Sequence, residues 1–199
     1  MSAHAEAPTT VAHGPGVAAV DVVAELIGRG EHRAAVAACA RIHGDAVGRV
    51  CMAMLGSQPD AEEAVQETLL AAHRGMAGYR ADGTIRAWLF AIARRQCARR
   101  LERGRRSASS LAELQAVTDA LAPADPADAM VVQRRAQAVR AALSQLKPSE
   151  REALVLRYEA GLGYREIGAA CGIDEAAARK RASRGLDHLR SLIDREASE

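Results

Sequence analysis

One stretch in the last third of the chain constrains the fold more than any other. Gly163–Arg184 reads GYREIGAACGIDEAAARKRASR. Gly172 can end a short first helix, and Asp174 can cap the next helix. A small core between the two helices is expected from Ile167, Ala170 and Ile173. This order predicts a helix-turn-helix unit, whose second helix enters the major groove of DNA. The alternative interpretation is an ordinary helix with a solvated basic face.

The second helix of this unit carries the side chains that can read DNA. Small residues near its start allow the backbone to approach a groove floor, and the cations after them can reach base edges and phosphates. Glu175 can accept a hydrogen bond from a cytosine amino group, or it can simply favour the helix N-terminus. The residues expected to contact DNA here are Glu175, Ala177, Arg179, Lys180, Arg181 and Arg184.

Helical patterns also fill the rest of the chain, which is rich in alanine and contains only 3% aromatic residues. In DAEEAVQETLLAAH (Asp60–His73), apolar residues recur at helical spacing and the acids point off that stripe. We expect Asp60 and Glu63 to open this helix as a capping-box-like pair. Thr84 can cap the next helix, on whose apolar face we place Trp88 as a core residue.

The distribution of charge is more informative than its sum. The net charge is only +2, so the whole chain does not argue for nucleic-acid binding. The acidic helix Asp60–His73 is nevertheless followed by Arg94–Arg106, which reads RRQCARRLERGRR. Two different partners, one basic and one anionic, would explain why these two segments lie so close together.

The pattern of elements predicts an all-α protein of two small helical domains joined by a flexible linker. Residues 1–17 are expected to form a disordered tail, 18–106 the first domain, and 134–199 the second. Residues 107–133 form an acidic linker without Lys or Arg. This linker is either a mimic of nucleic-acid charge or a plain spacer. In the second domain, Ser149 and Glu152 predict a capping box.

Several classes of function have no sequence signal. No apolar run is long enough to cross a bilayer, and the N-terminus lacks the features of a signal peptide, so we expect a cytoplasmic protein without membrane insertion. No HExxH, GxxxxGK[ST] or GxSxG motif is present, which predicts a protein that is not an enzyme and binds no cofactor or metal.

The four cysteines, Cys39, Cys51, Cys97 and Cys171, form no CxxC pair and are expected to be buried. A metal site at Cys39 and His43, one helical turn apart, is the weaker alternative.

Two regions of the chain resemble bacterial sigma factors. Gly163–Arg184 resembles region 4 of that family, and Asp60–His73 together with TIRAWLFAIARRQCARR (Thr84–Arg100) resembles region 2. Both regions in this order, joined by a variable linker, resemble the extracytoplasmic-function (ECF) class. The chain departs from the usual pattern at Ile85, where phenylalanine is common, and at Ala176-Ala177, which replaces a Gly-Thr pair.

The resemblance implies a sigma factor that binds core RNA polymerase and directs promoter-specific initiation at −10 and −35 elements. Its partners would be the β′ clamp and β flap of polymerase, promoter DNA and an anti-sigma factor. Catalysis would belong to polymerase. The residues implied in docking on the clamp are Asp60, Glu63, Gln66 and Glu67.

The resemblance also implies which residues meet the melted −10 element. Its flipped bases need a pocket, and its backbone needs a cationic track. The residues placed there are Tyr79, Arg80, Asp82, Thr84, Arg86, Arg94, Arg95, Arg99 and Arg100.

The rival interpretation is a stand-alone helix-turn-helix repressor that acts without polymerase. Such a protein would dimerise on a two-fold site and would need no acidic docking helix.

Overall fold

The computed structural model describes residues 16–110 and 138–196, and these residues form helices and connecting turns without a strand. The all-α prediction is therefore confirmed. The first segment contains α1 (Gly16–Gly28), α2 (His32–Leu55), α3 (Gln58–Gly75), a 3-10 turn (Met76–Gly78) and α4 (Ile85–Ser110). The second contains α5 (138–145), α6 (Pro148–Tyr158), α7 (Tyr164–Cys171) and α8 (Glu175–Glu196). Most of the predicted tail (1–17) and most of the predicted linker (107–133) lie outside the described residues. Helix α1 begins at Gly16, within the predicted tail, and α4 ends at Ser110, within the predicted linker.

Small residues allow α2, α3 and α4 to pack closely. Ala38 and Ala64 have no exposed surface, and neither does Ala93. The buried stripe of α3 is mostly alanine, so this helix can approach its neighbours without voids, because little side-chain volume has to interdigitate. The larger Phe90 is only 1% exposed and fills the space that remains. Trp88 is half-buried and meets the Tyr79 ring edge-on, with 5.4 Å between the ring centroids.

Two helix starts differ from their predictions. Helix α3 begins at Gln58, and its cap is Ser57, whose hydroxyl accepts from the Asp60 amide at 3.5 Å. The expected opening by Asp60 and Glu63 is wrong because both side chains turn towards a cation on α4. Helix α6 begins at Pro148, which places Ser149 inside the helix. The predicted capping box is therefore not formed.

Two other predicted helix starts are confirmed. The Ala87 amide donates to Thr84 Oγ1 at 3.1 Å, and the Ala177 amide donates to Asp174 Oδ1 at 2.6 Å. These bonds satisfy amides that have no partner within the first turn of a helix. They fix where α4 and α8 begin, and so they set the direction in which both basic helices run.

The two helical domains share one hydrophobic core. Leu156, Leu162 and Ile167 of the second domain belong to the same buried cluster as the residues of α2, α3 and α4. A smaller cluster around Leu146 and Leu192 holds α5, α6 and α8 together. In this arrangement α7 lies against α4, so the helix-turn-helix unit directly contacts the first domain.

Candidate protein-docking and nucleic-acid interfaces

The acids of α3 form an ion-pair network with α4. Arg100 is only 15% exposed, and its Nε lies 2.7 Å from Asp60 Oδ1. Its Nη2 bonds to Glu63, and its Nη1 lies 3.8 Å from Glu67 Oε1. Arg103 Nη2 approaches Glu67 Oε1 at 3.3 Å. Part of the opposite charge of the two helices is thus paired within the molecule.

The outer side of α3 remains open to solvent. Glu62 and Gln66 are exposed, and Glu63 keeps 54% of its side chain exposed despite its bond to Arg100. Leu70 lies one turn after Gln66 and is 57% exposed. Leu70 was not among the residues predicted to dock on polymerase. Its position four residues after Gln66 nevertheless places it on the acidic side of α3 rather than on the buried stripe. The open side of α3 is therefore acidic with one large apolar residue.

The loop between the 3-10 turn and α4 forms one wall of a cavity. This cavity of about 330 Å³ is lined by residues 78–84 and by Trp88, with Glu166 and Ala170 of α7 on its other side. The Tyr79 hydroxyl donates to the Gly83 carbonyl at 2.6 Å, which braces the loop. Arg80 and Asp82 are exposed at its rim. The predicted base-pocket residues are thus brought together.

Three residues predicted to meet the −10 element bond to the second domain in this structure. Thr84 Oγ1 donates to Glu166 Oε1 at 2.7 Å. Arg86 Nε donates to the Ala160 carbonyl at 2.9 Å. Arg94 Nε donates to Glu152 Oε1 at 2.6 Å, and its Nη1 donates to the Ala170 carbonyl at 3.2 Å.

Two other arginines of the predicted −10 set face solvent. Arg95 and Arg99 are exposed one turn apart on α4. Together with Trp88, Ala71 and Gly75 they line a groove of about 280 Å³ between α3 and α4. Two cations beside a partly buried indole suit a strand of nucleic acid, since phosphates need charge and bases need a flat apolar surface.

The helix-turn-helix geometry is built by close backbone approach. A Cβ added at Gly168 would lie 2.7 Å from the Ile173 carbonyl oxygen, so only glycine allows α7 to pass this close to the turn. Gly172 has a φ of +67°, the left-handed conformation that ends α7. Ile167 and Ala178 are buried between α7 and α8. Of the predicted small core, Ile167 is fully buried, whereas Ala170 and Ile173 are only half-buried.

Helix α8 presents its basic residues outwards. Arg179, Lys180 and Arg184 are exposed, and with Glu175 and Ala176 they line a shallow groove of about 480 Å³. Arg181 and Ala177 are half-buried at the edge of this surface. The structure thus places the cations predicted for DNA along one helix in the second position of the motif, as major-groove binding requires.

The cysteines are packing residues. Cys39, Cys51 and Cys97 are buried, as predicted, whereas Cys171 is half-buried. Burial raises the pKa of the Cys39 and Cys171 thiols to about 11, which keeps both protonated and weakly nucleophilic at neutral pH. Residues 16–110 and 138–196 hold no group of three or more His, Cys, Asp or Glu side chains able to bind a metal ion. None of the helices in this part of the chain is long and apolar enough to span a membrane.

Comparison with known families matches both domains. The model of sigma-70 region 2 matches residues 39–107, and that of sigma-70 region 4 matches residues 136–189. The first match covers α3 and α4 with the ion-pair network, the cavity loop and the exposed arginines. The second covers the helix-turn-helix unit.

Individual relatives give the same result. The chain is 34% identical over 164 residues to the ECF RNA polymerase sigma factor SigE of Mycolicibacterium smegmatis, an alignment that covers 80% of this chain and 62% of that protein. It is 34% identical over 133 residues to the RNA polymerase sigma factor CarQ of Myxococcus xanthus, covering 67% of this chain and 74% of CarQ.

A solved structure shares the fold. The sigma factor RpoE of Bartonella quintana, determined in complex with the anti-sigma factor NepR, superposes with a TM-score of 0.66 at 24% identity, covering 78% of this chain and 94% of that one. The two matched regions, their order and the identity to CarQ agree with the geometry of the two domains. The chain belongs to the ECF class of the bacterial RNA polymerase sigma factors.

Proposed function

We propose that this chain binds core RNA polymerase and directs it to promoters by recognising their −10 and −35 elements. One observation carries the proposal. A single molecule joins an open acidic side on α3 to two separate basic surfaces, on α4 and α8, within the two regions that define the family. A stand-alone repressor would account for α8 but not for the acidic side of α3.

The docking face on α3 consists of Asp60, Glu62, Glu63, Gln66, Glu67 and Leu70. Its carboxylates suit a basic partner such as the β′ clamp, since complementary charge orients and accelerates docking. Leu70 can be buried on binding, and an apolar residue inside a polar rim is a common source of affinity. Arg100 is held by three carboxylates of this face, so we assign it to orienting α3 rather than to DNA.

The −10 element would be bound by α4 and the loop before it. Tyr79, Arg80, Asp82 and Thr84 surround a cavity into which a flipped base can fit. Arg95 and Arg99 are exposed and can meet phosphates at once. Arg86 and Arg94 can do so only after their bonds to the second domain break.

The −35 element would be bound by α8 in a major groove, with the β flap of polymerase contacting the same domain. In this function, RNA polymerase catalyses RNA synthesis and this chain does not. The chain would act in the cytoplasm, where polymerase and DNA are found. Because the similar RpoE was solved with an anti-sigma factor, we also propose that a protein of that class holds this chain inactive.

Docking is tested by gel filtration of the full chain with core polymerase. The variant is Glu62→Lys/Leu70→Asp, because both side chains are exposed and lie outside the Arg100 network. Changes at Glu63 or Glu67 would also break ion pairs that hold α3 to α4. Asp45→Lys, at an exposed acid of α2, is the matched control.

We expect the wild type and Asp45→Lys to co-elute with core polymerase and the double variant to elute alone with an unchanged circular dichroism spectrum. Wild-type protein that stays apart from polymerase but binds DNA as a dimer would contradict the proposal and favour a repressor. Co-elution of the double variant at wild-type affinity would move the docking face away from α3.

A further inference from the structure

Tyr164 brings two arginines of different helices to one aromatic ring. It is the first residue of α7, and it lies near Arg157 of α6 and Arg179 of α8. The guanidinium carbon of Arg157 is 4.9 Å from the ring centroid, and that of Arg179 is 5.2 Å away. Both distances are within the range of cation–π attraction.

The ring is itself held in place. Tyr164 is half-buried and packs against the main hydrophobic core. Arg157 Nη1 donates to the Leu162 carbonyl at 2.9 Å, so the cation on the α6 side is tied to the backbone just before α7. The ring is therefore a fixed surface rather than a mobile side chain beside the DNA-binding helix.

Arg179 is restricted from a second direction. Its Nη2 donates to Glu175 Oε1 at 2.9 Å, one turn earlier on α8, while 63% of its side chain stays exposed. The bond to Glu175 uses one N–H group of Nη2, so the second N–H of Nη2 and both N–H groups of Nη1 are left to bind DNA. A planar guanidinium that is oriented in advance loses less freedom on binding, and its remaining N–H groups suit the O6 and N7 acceptors of guanine.

The neighbouring cations lack this support. Among the described residues, neither a ring nor a carboxylate contacts Lys180 or Arg184, which are exposed on the same groove. Long mobile cations suit phosphates, which attract charge from many directions. The groove therefore contains one oriented cation among mobile ones.

We propose that Arg179 reads a guanine in the −35 element and that Tyr164 is the positioning residue that aims it. This inference rests on the proposed promoter recognition by α8. It divides the basic residues of α8 into one that specifies sequence and others that supply affinity. Glu175 then serves to orient Arg179 rather than to contact a base itself.

The test uses holoenzyme assembled from core polymerase and the full chain. Promoters are selected from a DNA library randomised across both elements, and the selected sequences are compared between variants. We expect the wild type to enrich guanine at one −35 position. Tyr164→Leu should reduce that enrichment about fivefold to tenfold at that position alone, whereas Tyr164→Phe, which keeps the ring, should retain it.

Arg179→Lys provides a second variant at an exposed position, where folding is not at risk. It keeps the charge but lacks the planar fork, so guanine enrichment should fall while the salt dependence of binding stays the same. Unchanged enrichment in Arg179→Lys, or a loss in Tyr164→Leu spread over all −35 positions, would overturn the inference. A wild-type holoenzyme that selects no −35 sequence would overturn the proposed function itself.

Discussion

Arg100 shows how one side chain can serve two helices. Its guanidinium is largely buried and faces three carboxylates of α3, each of which is still partly exposed to water. A buried cation that loses its partners is costly, whereas carboxylates at the surface can be solvated again. The arginine, more than any single acid, therefore fixes the position of the docking face relative to α4.

Replacing Arg100 should destabilise the first domain. We expect Arg100→Ala to lower the free energy of unfolding by about 1–2 kcal/mol, because Asp60 and Glu63 would lose their cation and Glu67 would keep only Arg103. Urea denaturation measures this change. Arg99→Ala, one residue earlier and exposed, is the control and should stay within about 0.5 kcal/mol of wild type. Equal effects of the two substitutions would contradict a structural role for Arg100.

The same network predicts a pH dependence. Hydrogen bonding to Arg100 holds the pKa of the Asp60 carboxyl below its usual value. A lowered pKa stabilises the fold above the unfolded value, about 3.9 for aspartate, and this contribution is lost as the pH falls through the folded value. The difference between wild type and Arg100→Ala should thus be constant from pH 7 to 5 and shrink below about pH 4.

At the scale of elements, the best-predicted features are the local ones. The end of α7 and the start of α8 follow from Gly172 and Asp174, whose effects reach only a few residues along the chain. The start of α6 was not predictable in this way. Glu152 bonds to Arg94, which lies 58 positions earlier, instead of capping its own helix. The pairing of Arg100 with Asp60 could not be foreseen either, because it depends on how α3 packs against α4.

The turn between α7 and α8 should not accept a methyl group at Gly168. Its Cβ would meet backbone atoms of Ile173 and Asp174, which cannot move without shifting α8. We expect Gly168→Ala to lower the stability of the second domain by about 1–3 kcal/mol and to weaken −35 binding, as measured by thermal unfolding and promoter competition.

Gly44→Ala on α2 is the matched control, since nothing lies within 4 Å of its Cβ position. A helix interior gains about 0.5–1 kcal/mol from this exchange, so the control should shift stability in the opposite direction. A stabilised Gly168→Ala protein would show that the turn is looser than the structure indicates.

At the scale of the whole molecule, the two domains hold each other through residues predicted to meet DNA. Glu152 and Glu166 of the second domain accept from Arg94 and Thr84 of the first. A further ion pair crosses the same boundary between Arg49 and Glu159, which lie 3.1 Å apart. The sequence predicted that Thr84 and Arg94 meet DNA, but it could not show that both side chains bond to carboxylates of the second domain, because those bonds depend on how the two domains pack.

Removing the negative charge of these acceptors should loosen the contact between the domains. We expect Glu152→Gln/Glu166→Gln to increase the radius of gyration measured by small-angle X-ray scattering and to raise the affinity of the protein alone for single-stranded DNA. Asp187→Asn, which affects only a pair within α8, should change neither quantity. Identical scattering of the double variant and wild type would show that the apolar contacts alone keep the domains together.

Under the proposed function, the bond between Arg94 and Glu152 also has a consequence for promoter choice. A carboxylate on the same chain competes with DNA phosphate at an effective concentration in the millimolar range, and dilution of the protein does not relieve it. DNA that contacts Arg94 through phosphate alone must displace the Glu152 carboxylate. A partner that moves the two domains apart breaks this ion pair beforehand. The ion pair would thus reduce binding to DNA sites of low affinity. It would allow Arg94 to bind DNA only after the chain has assembled with a partner that separates the domains.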